Sequence, residues 1–149
     1  MRQEAIVLFL VLLPEINAIN PVRSMKIGRK QSAAVKGVLI CNGKPAVNVK
    51  VKLCNHGQDG NTEDFMDEGK TDSEGRFLLK GHQVKITNIN PILKVYHNCD
   101  EQNAQCLKKI VILIPNDFVS KSLEPTKTFD IGTFNLAGKF AEEGRECIN

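Results

Sequence analysis

The chain has 149 residues, with 20 Lys and Arg against 17 Asp and Glu, for a net charge of +3. That length suits one domain with a real core; three Met, seven Phe, one Tyr and no Trp make the core mostly aliphatic. Basic residues are scattered and aromatics are few, which excludes the basic, stacking footprint of a nucleic-acid surface.

Arg2 precedes an unbroken apolar run over residues 5–13, Pro14 breaks it, and Ile16-Asn17-Ala18 ends on a small residue. This is the layout of a secretory signal peptide over residues 1–18. A membrane anchor is the competing reading, but the run is far short of the roughly 20 apolar residues that cross a bilayer. The chain is therefore expected to be secreted, with no transmembrane segment. Residues 19–33 are polar and basic and are expected to form an extended N-terminal arm ahead of a domain over residues 34–147. Within the arm, Gly28-Arg29-Lys30 has the form of a dibasic processing site, against the plainer reading of a solvated leader.

Residues 34–41 predict the first strand and residues 48–54 the second. Asn42-Gly43 and Pro45 between them are turn residues, chosen for φ > 0 and for a preset φ. Val49, Val51 and Leu53 alternate with Lys50, Lys52 and Cys54, so one sheet face is apolar and the other carries the lysines. Such a sheet needs a second layer over its apolar side. Residues 56–68 are polar, acidic and Gly-bearing, and are expected to be a loop. Its carboxylates, Asp59, Glu63, Asp64, Asp67 and Glu68, lack the ligand alternation of a calcium loop. A short strand is expected at residues 68–71, then a turn in which Asp72 bonds the backbone ahead and Gly75 takes φ > 0. Residues 76–80 carry the next strand, and residues 83–90 fit either a strand or an irregular run.

Pro91 opens a clear strand over residues 92–98. His97 on it lacks a partner nucleophile in sequence, so a structural, hydrogen-bonded role is the default. The apolar, β-branched run after Cys106 favours a buried strand ending at Pro115. Residues 116–122 have room for one helical turn, and Pro125 forbids a longer one. Residues 128–136 form the last strand, with Gly132 at a bulge, followed by a charged tail. Short strands between turns, with at most one short helix, predict an all-β, antiparallel β-sandwich.

Cys41, Cys54, Cys99, Cys106 and Cys147 follow the leader. In an oxidising compartment they are expected to pair. The spacing suggests Cys99 with Cys106 across a short polar loop, and Cys41 with Cys147, leaving Cys54 as a free thiol on the lysine face. There is no CxxC, and His56, His82 and His97 show no ligand spacing. No metal or cofactor is expected, and no Asn-x-Ser/Thr acceptor occurs.

The string Gly28-Arg29-x-Gln31-Ser32-x-Ala34-Val35-x-Gly37-x-Leu39-x-Cys41-Asn42-Gly43-Lys44-Pro45-Ala46 is followed by Val49-x-Val51-Lys52-Leu53 and by Asp67-Glu68-Gly69-x-Thr71-Asp72-x-x-Gly75-x-Phe77. Then come Asn90-Pro91-x-Leu93-Lys94-Val95-Tyr96-His97-x-Cys99, Cys106, Ile114-Pro115, Asp130-Ile131-Gly132-Thr133-x-Asn135-Leu136 and Cys147. In these motifs the chain resembles the nematode transthyretin-like family of secreted proteins. The resemblance implies a prealbumin-like sandwich, an extracellular or cell-surface place of work, and no established catalytic activity. Cys41, Cys99, Cys106 and Cys147 fall on the family's cysteine positions. Cys54 does not, which leaves it to be buried, capped or used to join two chains. The related purine-pathway hydrolases carry a first-strand histidine and end in Tyr-Arg-Gly-Ser; this chain has neither, so that activity is not carried over. Nor is the hormone channel of the vertebrate tetramer.

The expected function is therefore a non-catalytic extracellular binding protein, whose partner is a small apolar or lipid ligand or a cell-surface protein. The alternative is a secreted hydrolase or inhibitor that uses His97 or the acidic loop. A peptide released at Gly28-Arg29-Lys30 is a third reading.

Overall fold

The structure, a computed structural model, describes residues 27–101, 106–138 and 143–147. The leader over residues 1–18 and the first part of the arm lie outside the described residues. Nine strands follow in order: β1 Arg29–Cys41, β2 Lys44–Pro45, β3 Lys50–His56, β4 Glu63–Lys70, β5 Arg76–Lys85, β6 Pro91–His97, β7 Cys106–Leu113, β8 Phe129–Asn135 and β9 Glu143–Cys147. A single 3-10 turn, Asn116–Phe118, is the one helical piece among the described residues. No helix among them is long and apolar enough to cross a membrane.

The strands form two sheets. In the first, β1 pairs antiparallel with β5 and, at its end, with β2; in the second the order is β4-β3-β6-β7-β9, all antiparallel. The first sheet departs from a purely antiparallel plan. Strand β8 runs parallel to β1, from Val35 opposite Phe129 to Ile40 opposite Asn135, with a register shift around Gly37. The segment after β7 leaves the second sheet and crosses to the far side of β1, so β8 enters with the same direction as β1.

The inner faces meet in an aliphatic core. Val35, Leu39, Phe77 and Leu79 of the first sheet pack with Val51, Leu53, Leu93, Val95 and Ile110 of the second. Each fully buried aliphatic side chain of this kind is worth about 1.5–3 kcal/mol. The alternation that places them is plain in β5, where Phe77 and Leu79 are buried and Arg76, Leu78 and Lys80 are exposed. The sheets are stitched at one corner, where β4 meets β5. Lys80 N–H donates to Asp67 Oδ2 at 3.0 Å and Gln83 Nε2 donates to the Phe65 carbonyl at 3.1 Å.

Three expectations need correction. The first strand begins at Arg29, not at residue 34: Arg29 to Ser32 pair with Lys85 to His82, and Gln31 and Ser32 are buried. A solvated leader is therefore not what residues 29–33 form. Secondly, the acidic segment is a strand from Glu63 onward, with only residues 57–62 looped. It alternates on the outer edge of its sheet, where Asp64 and Glu68 find Lys85 and Lys50. Thirdly, part of the charged tail is strand β9, paired on β7.

The cysteine pairing also differs. Cys41 bonds Cys99, joining the end of β1 to the segment after β6, and Cys106 bonds Cys147, its cross-strand partner on β9. Loop length, used as the guide, is indifferent to which segments lie side by side; adjacency in the fold decides the partners, between sheets for Cys41 and Cys99 and within one sheet for Cys106 and Cys147. The polar loop between Cys99 and Cys106 lies partly outside the described residues.

Candidate ligand pocket

At one end of the sandwich three segments enclose a hollow of about 480 Å³. The first is the start of β1. The second is the turn after β5, residues 86–89. The third runs from the 3-10 turn to Lys121. Two sets of hydrogen bonds fix these walls.

Gln31 is only 3% exposed. Its Nε2 donates to the carbonyls of Thr87 at 2.9 Å and Lys85 at 3.4 Å, and its Oε1 accepts the N–H of Ile89 at 3.0 Å. One buried amide thus satisfies the backbone of a turn that has no sheet partner, as burial of a polar group requires. On the other side, Ser32 and Ser120 exchange backbone bonds of 2.9 and 2.8 Å. Ser120 Oγ then accepts the N–H of Thr126 at 2.9 Å, and Phe118 stacks at a tilt on Phe129, 5.0 Å between ring centres.

Ile89 and Val119 give the hollow its apolar lining, and Asn88 and Asn116 add neutral polar groups. Every charged side chain on its walls is a cation: Arg29, Lys30 and Lys121. Arg29 is already oriented, because its Nη2 donates to the Ile86 carbonyl at 3.0 Å and to Asn88 Oδ1 at 2.8 Å. None of the three has an ion-pair partner among the described residues, and neither do Lys36, Lys44, Lys52, Lys70, Lys109 and Lys127, whereas Lys50, Arg76, Lys80, Lys85, Lys94, Lys108 and Arg145 do. A second hollow, of about 560 Å³ on the outer face of the first sheet, carries both signs, with Lys36, Arg76, Asp72 and Asp130.

The residues singled out from sequence lie elsewhere and apart. His56 ends β3, His82 sits exposed on β5, and His97 is buried at the end of β6, where its Nδ1 accepts the Cys99 N–H at 3.1 Å. The acidic side chains serve the backbone and the lysines. Asp59 accepts from Asn61 N–H, Thr62 N–H and Thr62 Oγ1, which hold its carboxyl below the ordinary range. Asp64 is held low chiefly by its hydrogen bond from Lys85. Glu63 pairs with Lys94. Asp100 lies beside the sulfurs of Cys41 and Cys99, but these are bonded to each other and offer no thiolate to a metal. Gly28-Arg29-Lys30 runs directly into the paired part of β1, a poor substrate for a protease that needs free, extended chain.

Cys54 is an unpaired thiol and is buried, 4% exposed. It does stand on the lysine side of β3, opposite Phe65 of β4 and Ile92 of β6. That side is less wet than alternation suggests, since Lys50 and Lys52 are themselves half-buried and Ile92 and Tyr96 are buried. Burial pushes the thiol pKa up, and the Lys94 ammonium offsets only part of that. A thiolate is the reactive form, so iodoacetamide should leave the folded protein unlabelled and add one group after unfolding without reductant. Rapid labelling of the native chain would mean that Cys54 is open.

The pocket escaped sequence reasoning because its cations come from segments far apart in the chain. The one local signal is Arg29-Lys30-Gln31, which also fits a processing site. Residues 36–115 match the model of the transthyretin-like family (TTR-52). Three Caenorhabditis elegans proteins are similar over most of their length. Transthyretin-like protein 5 is 42% identical over 123 residues, 83% of this chain and 88% of that one.

The chain belongs to the transthyretin-like family.

Transthyretin-like protein 33 is 43% identical over 119 residues, 80% of this chain and 83% of that one. Transthyretin-like protein 2 is 41% identical over 128 residues, 83% and 86% respectively. Among solved structures, a 9R-lipoxygenase from Cyanothece is 20% identical with a TM-score of 0.41, over 70% of this chain and 16% of that one, a likeness too low to carry an argument. In this transthyretin-like chain the stretch matched by the family model holds the end of β1 and strands β2 to β7 but stops short of two pocket walls, residues 29–31 and 116–121.

Proposed function

We propose that this transthyretin-like protein is an exported, non-catalytic binding protein that works outside the cell or at its surface. The observation that carries the reading is the pocket at the sandwich end. Its walls are pinned by a buried glutamine and a serine pair, its lining sets Ile89 and Val119 among polar side chains, and its charge is of one sign. A volume of about 480 Å³ lies within the roughly 300–1,000 Å³ usual for small-molecule sites. Sites on loops held by a rigid sandwich are a common way for such folds to bind. Two disulfides and the leader-like first 18 residues support an oxidising, extracellular setting. The hydrolase or inhibitor reading has less support, because His56, His82 and His97 sit at three separate places and the nearby carboxylates are already engaged.

The test is expression of the whole chain in secreting cells. Intact mass of the protein in the medium should show a product starting near Ile19 or Asn20 with both disulfides formed. Native mass spectrometry should show a retained small molecule. Retention of the uncut chain in the cell, or ester turnover that disappears in His97→Ala, would count against it.

A further inference from the structure

Resting on that reading, we infer that the pocket takes a monomeric amphiphile with one anionic head and an apolar body, of the medium-chain carboxylate type. The argument begins with charge. Arg29, Lys30 and Lys121 come from two distant segments and line one hollow with no carboxylate on its walls. Asp117 is in the adjoining 3-10 turn but does not line it. Like charges gathered at the exposed rim of a cleft repel one another and turn a positive potential toward its mouth, more strongly at low salt. Of the other cations among the described residues, seven pair with an acid and six, such as Lys36 and Lys44, do not. What sets Arg29, Lys30 and Lys121 apart is that three cations without an ion pair line one hollow, where a single anion can meet them.

The geometry of Arg29 favours a planar, two-oxygen head. A guanidinium has five N–H donors, and the bonds of Arg29 to Ile86 and Asn88 use Nη2 alone. The remaining donors are held in place by those two bonds, so little rotamer freedom is lost when an anion docks. Lys121, and Lys30 from the other face of β1, add positive charge at the rim rather than a second fixed contact.

The body of the ligand is set by the rest of the lining. Val119 is apolar and half-buried, Ile89 is apolar and almost wholly buried, and the methylene stems of the two lysines add apolar surface at the rim. A bare inorganic anion would leave that surface in water. A neutral chain would leave three cations unanswered. Only a molecule with both parts uses the whole site.

The experiment is isothermal titration of the full secreted chain with decanoate, decanol and inorganic phosphate, beside sedimentation with vesicles of phosphatidylglycerol in phosphatidylcholine. Decanoate should bind at one site, with decanol weaker by about tenfold or more, the loss expected for one charge-assisted hydrogen-bonded contact. Phosphate alone should bind far more weakly than decanoate. The double variant Lys30→Glu with Lys121→Glu alters exposed side chains, so its melting temperature should not move, while decanoate binding is lost. Arg29→Lys should keep the charge and weaken binding, because the fork is gone.

Equal binding of decanol, equal binding of phosphate, or undiminished binding by the double variant each overturns the inference. So does binding to vesicles without binding to monomeric decanoate, which assigns the anion to a bilayer. If decanoate is ignored while the secreted protein retains some other small molecule, the binding function stands and the ligand class fails. If the protein retains nothing and hydrolyses esters, both fail.

Discussion

Replacing Cys41 and Cys99 together by serine should lower stability by about 4 kcal/mol, the chain-entropy value for a closed loop of this size. The two cysteines are 58 residues apart in sequence and join the end of β1 to the segment after β6. The bond therefore ties one sheet to the other across the core. For a chain of about this length, such a loss corresponds to a drop in melting temperature of roughly 10 °C. The pair Cys106→Ser with Cys147→Ser removes a bond of 41 residues' separation. Its entropic term is similar, but the bond holds only β9 to the edge of one sheet. Loss of β9 leaves the core residues of β1, β3, β5 and β6 in place, so the second double variant should melt closer to the parent. Circular dichroism melts of both variants make the comparison. A larger effect from the Cys106–Cys147 pair would show that β9 bears more of the structure than its place at an edge implies. A non-reducing peptide map should return the same two links.

Gly75→Val should cost about 3 kcal/mol or more, from two independent causes. The first is backbone: Gly75 has φ +78°, and a non-glycine residue in that region pays about 1–2 kcal/mol. The second is space. A Cβ at Gly75 would stand 2.3 Å from the Leu39 carbonyl oxygen and 3.4 Å from the Ala46 nitrogen. Those atoms are already bonded, since Ala46 N–H donates to the Leu39 carbonyl at 2.9 Å and Leu39 N–H donates to the Gly75 carbonyl at 2.8 Å. Three segments meet there, and forcing extra volume among them adds about 1–3 kcal/mol. Gly43→Ala is the control. Its φ is +83°, but nothing lies within 4 Å of the added carbon. It should cost about 1 kcal/mol, the conformational term alone. Urea unfolding of the two variants separates the causes, and equal losses would mean that the contact at Leu39 yields freely.

Local chemistry made much of this fold readable. Asn42 and Gly43 both have positive φ, as a tight hairpin between strands demands. Asp72 accepts the N–H of Glu74 and of Arg76, which is the turn its side chain was expected to build. Valine and leucine at every second place in β3 do face the core. Where sequence and structure part, the deciding contact is remote. Residues 29–32 look solvated because they are polar, yet Gln31 is buried, since a turn of residues 85–89 needs its amide. The acidic segment looks like a loop because Asp and Glu are rare in strands. It is tolerated at the sheet edge, where lysines from β3, β5 and β6 answer it. The pocket was invisible for the same reason: Lys121 meets Arg29 and Lys30 only because Ser120 bonds Ser32.

The parallel seam between β1 and β8 has a consequence for how the protein is made. A chain is synthesised from its N-terminus, so Val35 exists long before Phe129, the residue it lies beside. Until residues 129–135 arrive, close to the end of the polypeptide, one flank of the central ribbon has its amides and carbonyls bare, and bare flanks recruit copies of themselves. Folding should consequently be late and slow, on the order of milliseconds to seconds as for other topologies built from distant pairings. A polypeptide that stops short of residue 129 should precipitate during synthesis rather than persist as a smaller domain.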